Sequence, residues 1–288
     1  MGKCVIDKER IVAPARCRLI LDVDDTRLGV AVVDPLVPSG SLWREIPLSV
    51  APAASPSGWV SSPSELLIKA LEEAVYDNPV LLSGFCSVEV VLHTPWFMLM
   101  PSDMAGADIS ARTAVAEASM PEEAREATML ELSGSGDESP RFVLFADTRL
   151  VDFLRRTFSN PRFRHPLEVM CAYFHGTDPL GVGGKMFARF GPGSLDLMAF
   201  GSHGPVFANT FVCVSPVDAV YFILAVRASL GMDASAELLL VGDSAVRDEV
   251  PPLLRRYLGF AMPLPLPSRS GISDDAGMPF HIEALINI

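Results

Sequence analysis

A chain of 288 residues with 49% hydrophobic and 20% charged side chains carries enough apolar material for one large core or two ordinary ones. Its formal net charge of −12 argues against nucleic acid as a general partner, because an acidic surface repels phosphate and no basic run offsets it. No run of about 18 apolar residues occurs, so no membrane span is predicted. The opening residues, MGKCVIDKER, lack the apolar core of a signal peptide.

The chain opens on a mixed arm, Met1–Cys17, followed by a buried strand at Arg18–Asp22 and a second at Leu28–Val33, with Asp24-Asp25-Thr26 turning between them. Ser41–Leu48 alternates as a third strand. The Pro- and Ser-rich stretch Ala51–Pro63 reads as a loop. Ser64 then caps a helix to about Tyr76, with Leu67, Leu71, Ala74 and Val75 on one face. Ser87–Leu92 is a fourth strand, and Pro95–Pro101 continues extended. Ala105–Ala127 is small, acidic and helical. Leu132–Pro140 is a solvated loop, Phe142–Ala146 a strand and Thr148–Phe158 a helix. Ser159–Pro166 is a break, and Leu167–Phe174 reads as an apolar strand.

Gly181–Gly184 forms a glycine-rich joint. Beyond it, Lys185–Phe190, Ser194–Phe200 and Pro205–Cys213 are three strands parted by two tight turns. The helix Val217–Leu230, the strand Glu237–Val241 and the helix Ala245–Leu258 follow. Pro251-Pro252 mark the first full turn of that helix. Phe260–Leu264 is a further short strand, and Pro279–Ile288 a closing helix.

The two halves repeat one pattern: three strands, helix, strand, helix, strand, helix. Three sequential antiparallel strands followed by alternating helices and strands is the ribonuclease H-like plan. The expected architecture is therefore α/β, two tandem ribonuclease H-like domains in an actin-like ATPase fold, at residues 1–163 and 164–288. The five cysteines are odd in number, far apart and without CxxC spacing, which speaks against a zinc or disulfide framework. Cys86, Cys171 and Cys213 lie in apolar runs and read as buried hydrophobes. A reduced, cytoplasmic protein is the expectation.

Particular words sharpen this reading. Asn209-Thr210-Phe211 leads to Asp218-Ala219-Val220-Tyr221-Phe222 and on to Leu239-Leu240-Val241-Gly242; Met100-Pro101 ends the extended segment, and Phe280–Ile288 forms the tail. In these the chain resembles domain-of-unknown-function family 3822, known mainly from Bacteroidetes. The resemblance implies an actin-like ATPase fold and no known activity.

Actin-like ATPases hold phosphates on two hairpin turns, the first typically Asp-x-Gly followed by two hydroxyl residues, where glycine lets backbone N–H groups approach phosphate. The equivalent turn here is Asp22-Val23-Asp24-Asp25-Thr26. Asp22 matches the acid near the metal, but Asp24 replaces the glycine and Asp25 a hydroxyl, and added carboxylates oppose a polyphosphate. The second turn keeps Gly191 and Gly193, with Pro192 removing a donor and Asp196 following. Arg189-Phe190 stand where an acid is usual. Gly242-Asp243-Ser244 keeps one glycine and the serine of the adenosine turn. The cleft candidates are thus Asp22, Asp24, Thr26, Gly191, Gly193, Asp196, Gly242 and Asp243.

Leu21 to Thr26 also fits the haloacid dehalogenase signature, Asp-x-Asp-x-Thr, in which the first Asp attacks phosphorus beside magnesium. Gly242-Asp243 with Asp248 mimics that superfamily's late acidic motif. Context opposes it: the chain returns at once as a strand from Arg27, and Met186 to Gly242 holds no lysine. Gly181–Lys185 resembles a phosphate loop, but Met186 replaces the needed hydroxyl residue. The five histidines, His93, His165, His175, His203 and His281, show no metal-ligand spacing, so no metal is expected.

The leading expectation is a non-catalytic binding or scaffolding protein with a degenerate nucleotide site. The alternatives are an ATP-binding actin-like ATPase or kinase-like switch using Mg-ATP, and a magnesium-dependent phosphatase of haloacid dehalogenase type. Trp59, in the Pro/Ser loop, and Trp96-Phe97 are candidate apolar contact points for a protein partner, although the surroundings of Trp96-Phe97 favour burial.

Overall fold

The computed structural model describes residues 6, 11, 13–36, 41–48, 65–101, 103–104, 107–124, 127–132, 140–177, 184–191, 193–233, 235–241, 245–259, 261–264 and 277–288. The Ala51–Pro63 loop with Trp59, the cap at Ser64 and most of the Gly181–Gly184 joint fall outside these residues.

Strands β1 (Arg18–Val23), β2 (Arg27–Val33) and β3 (Leu42–Pro47) form an antiparallel meander. Helix α1 (Glu65–Asp77) then carries the chain to β4 (Ser87–Leu92), parallel to β1. An insertion follows: β5 (Phe97–Met100), α2 (Ile109–Ser119), β6 (Thr128–Glu131) and β7 (Arg141–Ala146) make a separate three-stranded antiparallel sheet in the order β5-β7-β6. The main path resumes with α3 (Thr148–Thr157), β8 (Arg162–Arg164) and α4 (Pro166–Thr177), giving a first sheet of order β3-β2-β1-β4-β8. The second half repeats it: β9 (Met186–Gly191), β10 (Ser194–Gly201), β11 (Gly204–Val212), α5 (Pro216–Ser229), β12 (Leu238–Val241), α6 (Ala245–Leu254), β13 (Ala261–Pro263) and α7 (Phe280–Asn287). Its sheet order, β11-β10-β9-β12-β13, is the same order again. The mixed α/β, two-lobed actin-like architecture is as expected.

Strand alternation explains how the lobes share a core. On β9 and β10, Met186, Ala188, Phe190, Leu195, Leu197 and Ala199 pack on α5 and α6. The alternate residues Phe187, Met198 and Phe200 face the other way and join the core of the first lobe. There Phe174 of α4 stacks on Phe187 with ring centroids 4.0 Å apart, and Phe280 of α7 lies 5.8 Å from Phe174. Arg189 and Asp196 occupy this same inward face. Helix α5 starts at a capping box, in which Ser215 Oγ accepts from Asp218 N and the Asp218 carboxylate accepts from Ser215 N.

Several local expectations are corrected. Leu167–Phe174 is helix, not strand: α4 lies between the lobes and is apolar on nearly every side. The fifth strand of the first sheet is β8, within the expected break, while Phe142–Ala146 pairs in the inserted sheet. Thr128–Glu131, between the expected helical stretch and the expected loop, forms a strand. Pro251 and Pro252 lie inside α6 rather than in its first turn. Cys86 is exposed, whereas Cys171 and Cys213 are buried. Among the described residues no helix is long and apolar enough to cross a membrane.

Candidate functional site

The first hairpin is built around a buried acid. Asp22 lies near the end of β1, opposite Gly29 of β2 on one side and Val91 of β4 on the other, with no exposed surface. A buried carboxylate needs donors, and the fold supplies three. Asp22 Oδ1 receives His93 Nε2 at 2.7 Å and His281 Nε2 at 2.8 Å, while Oδ2 accepts from the Arg27 guanidinium at 3.2 Å. Burial pushes the Asp22 carboxyl up, but the charge and hydrogen bonds of His281 and His93 outweigh it and hold the group well below the usual range. Asp22 is ionised. Burial in turn drives His281 down, against the pull of Asp22, and Arg189 of the second lobe adds to the lowering.

Each histidine is positioned by its backbone. His93 follows β4, and its N–H donates to Val23 O at 3.2 Å, extending the ladder by one residue. The next residue, Thr94, donates its hydroxyl to Phe145 O at 2.9 Å, and its carbonyl accepts from His165 Nε2 at 3.1 Å. His281 sits in the first turn of α7. The far end of that helix is tied to the first sheet by Arg18, which reaches the Leu285 carbonyl at 3.2 Å and Glu89 at 3.1 Å.

The turn of the first hairpin is closed by its own side chain. Asp24 Oδ1 accepts from Thr26 N at 2.7 Å, Thr26 Oγ1 at 2.8 Å and Arg27 N at 2.9 Å. Its Oδ2 pairs with Arg27 Nε at 3.0 Å, and Arg27 also reaches Glu45 at 2.7 Å. One guanidinium therefore serves three carboxylates. Beside them, burial and then the charge of Asp24 push the half-buried Asp25 carboxyl up to about 6, partly offset by His93.

Gly29 is there for space. A Cβ at this position would stand 2.3 Å from the Trp43 ring and 3.0 Å from Asp22 Cβ. Gly29→Ala is therefore expected to cost about 1–3 kcal/mol through overpacking, measured by urea unfolding against the wild type. An unchanged midpoint would mean that the Trp43 ring can slide aside.

The second hairpin has the same frame with its charge reversed. Arg189 of β9 stands opposite Asp196 of β10 and Val241 of β12, the station that Asp22 holds in the first sheet. Arg189 pairs with Asp196 Oδ2 at 2.6 Å, and Thr210 Oγ1 donates to Oδ1 at 2.6 Å. Gly191 and Gly193 flank the turn, and Gly193 has a φ of 68°, which favours glycine. Of the eight cleft candidates, Asp22, Asp24 and Thr26 share the first hairpin, and Gly191, Gly193 and Asp196 share the second. Gly242 and Asp243 lie outside the described residues. His93 and His281 were absent from the candidates because sequence spacing separates them from Asp22 by 71 and 259 positions. The signal for His93 was its place just past a buried strand parallel to β1; His281 offered none.

The antiparallel return of β2 beside β1 also differs from the strand, loop and helix of a haloacid dehalogenase. Trp96 and Phe97 are half-buried, and Phe97 lies 4.4 Å from the His165 ring.

Comparison with solved structures places the fold. A Bacteroides thetaiotaomicron VPI-5482 protein, described as having an actin-like ATPase fold and unknown function, superposes with a TM-score of 0.73 at 15% identity. The match covers 98% of this chain and 99% of that one. A chain of the PilM–PilN type IV pilus biogenesis complex matches with a TM-score of 0.51 at 14% identity, covering 88% and 89%. At these identities the likeness is one of fold. No curated protein matches the sequence. The model of a family described as "Protein of unknown function (DUF3822)" matches residues 7–259, so the chain belongs to the DUF3822 family.

Proposed function

We propose that the protein is a non-catalytic binding or scaffolding module: an actin-like frame whose nucleotide site has been converted into internal structure. The observation that carries this reading is the Asp24 carboxylate. The backbone N–H groups of Thr26 and Arg27, in the turn that faces phosphate in an actin-like ATPase, already donate to Asp24 Oδ1. Arg27, the cation nearest that turn, is bound to Asp22, Asp24 and Glu45. A polyphosphate would have to displace a carboxylate from three donors and then face Asp24 and Asp25 across the same turn. The reversed pair Arg189–Asp196 likewise satisfies itself. A protein partner is the natural ligand of such a module, and a chain of similar fold does come from a two-protein complex, PilM–PilN.

Calorimetric titration with Mg-ATP tests the reading. The wild type is expected to bind more weakly than about 1 mM, or about −4 kcal/mol; micromolar binding would overturn it. Asp24→Gly opens the turn and should tighten Mg-ATP binding by about tenfold, or about 1.4 kcal/mol. Equal affinity in the variant would show that Asp24 is not what closes the turn.

A further inference from the structure

We propose that Asp22, His93 and His281 form a binding site for a divalent transition metal, a two-histidine, one-carboxylate centre at the junction of the lobes. One ligand atom from each residue, the two Nε2 atoms and a carboxylate oxygen, lie within 4.8 Å of one another. They arrive from three separate elements: strand β1, the residue after β4, and helix α7. Both imidazoles aim the same nitrogen at the same oxygen, Asp22 Oδ1, and their rings meet edge to face with centroids 5.1 Å apart. Three ligand atoms held this close together on separate elements can be bridged by one small cation.

The contrast with His165 is informative. That ring is locked: Nε2 donates to the Thr94 carbonyl, and Nδ1 accepts from Leu167 N at 3.2 Å. His165 therefore has no lone pair to give. His281 is not locked in this way: its buried Nδ1 has no partner among the described residues. The ring can carry its proton on Nδ1 and turn the Nε2 lone pair toward an ion. A tetrahedral ion with bonds of about 2.1 Å holds its donors about 3.4 Å apart. Binding therefore requires the 2.7 and 2.8 Å contacts to open by roughly 0.6–0.7 Å.

The donor set selects the metal. Two imidazoles and one carboxylate suit Zn²⁺, Co²⁺ or Ni²⁺, whereas Mg²⁺ and Ca²⁺ prefer oxygen donors throughout. The site is independent of the nucleotide argument, which rests on Asp24. Its consequence is mechanical: an ion here ties α7, the last helix of the second lobe, to two strands of the first.

The test uses the full chain, stripped with a chelator and dialysed. Zn²⁺ is titrated in competition with a chromophoric chelator, and Co²⁺ is followed by its visible d–d absorption. One equivalent of Zn²⁺ per chain is expected, with a Co²⁺ spectrum of low coordination number. His93→Gln and His281→Gln should each weaken Zn²⁺ binding at least a hundredfold, while His203→Gln, on an exposed turn, should bind as the wild type does. No Zn²⁺ uptake by the wild type, or uptake that both glutamine variants leave unchanged, would overturn the proposal. If the His281 variant does not fold, the wild-type Co²⁺ spectrum decides alone, and the spectrum of free aqueous Co²⁺ would count against the site.

Discussion

Asp22→Ala should destabilise the folded chain by about 3–5 kcal/mol, the cost of removing one partner from a buried ionic cluster. Asp22 has no exposed surface, and its two oxygens accept from His93, His281 and Arg27. Truncation leaves the Nε2 atoms of His93 and His281 facing a void and takes one of three carboxylates from Arg27. Asp22→Asn keeps the shape and an acceptor oxygen but loses the charge, so its loss should be smaller. Equilibrium urea unfolding in the presence of chelator reads both, with the midpoint falling at constant slope. If Asp22→Ala unfolded at the wild-type midpoint, the carboxylate would not be what joins β1 to α7.

That cluster also marks the boundary of what the sequence could tell. Strands buried on both faces, such as Arg18–Val23 and Leu238–Val241, are near-continuous apolar runs and were legible. So was the doubled element pattern, which led to the fold before any pairing was known. Leu167–Phe174 was misread because a helix buried between two lobes loses its polar face, and with it the 3.6-residue period. Strand β8 was missed because it is three residues long, with two arginines, at the edge of its sheet. The inserted three-stranded sheet interrupts the first copy of the pattern, and Phe142–Ala146 filled the vacancy in the count.

The candidate site was half legible. Asp22, Asp24 and Thr26 stood out because a short motif places them within five residues. The lock that Asp24 imposes on the turn is also local, an acidic side chain bonding N–H groups two and three residues ahead. His93 and His281 come from tertiary structure alone. Their meeting depends on the parallel pairing of β1 with β4 and on the docking of α7 by Arg18, and no spacing rule encodes either. The charge reversal at Arg189 was visible in sequence, but its partner, the cross-strand neighbour Asp196, required the register.

Acid should unfold the protein earlier than its carboxylates alone would dictate, because His165 is held neutral in the fold. The ring is wholly buried, and burial drives its pKa from 6.5 down to about 3, with the Thr94 carbonyl opposing only in part. The unfolded chain therefore binds one more proton than the folded chain between those two values. Stability from this residue is fully present above pH 6.5 and is lost as pH falls toward 3. The slope for one proton is about 1.4 kcal/mol per pH unit, which sums to about 5 kcal/mol across the window. Glu168 works in the opposite sense: burial raises its carboxyl despite Arg164, so the folded state gains stability as that group protonates. Comparing wild type with His165→Gln cancels Glu168, which both chains retain. The variant should be less stable at pH 7, since glutamine must replace the bonds to Thr94 O and Leu167 N. Its unfolding free energy between pH 6 and 4 should nonetheless fall less steeply than that of the wild type, by about one proton. Urea unfolding at a series of pH values measures the difference, and parallel curves for the two chains would mean that His165 is already protonated in the folded protein.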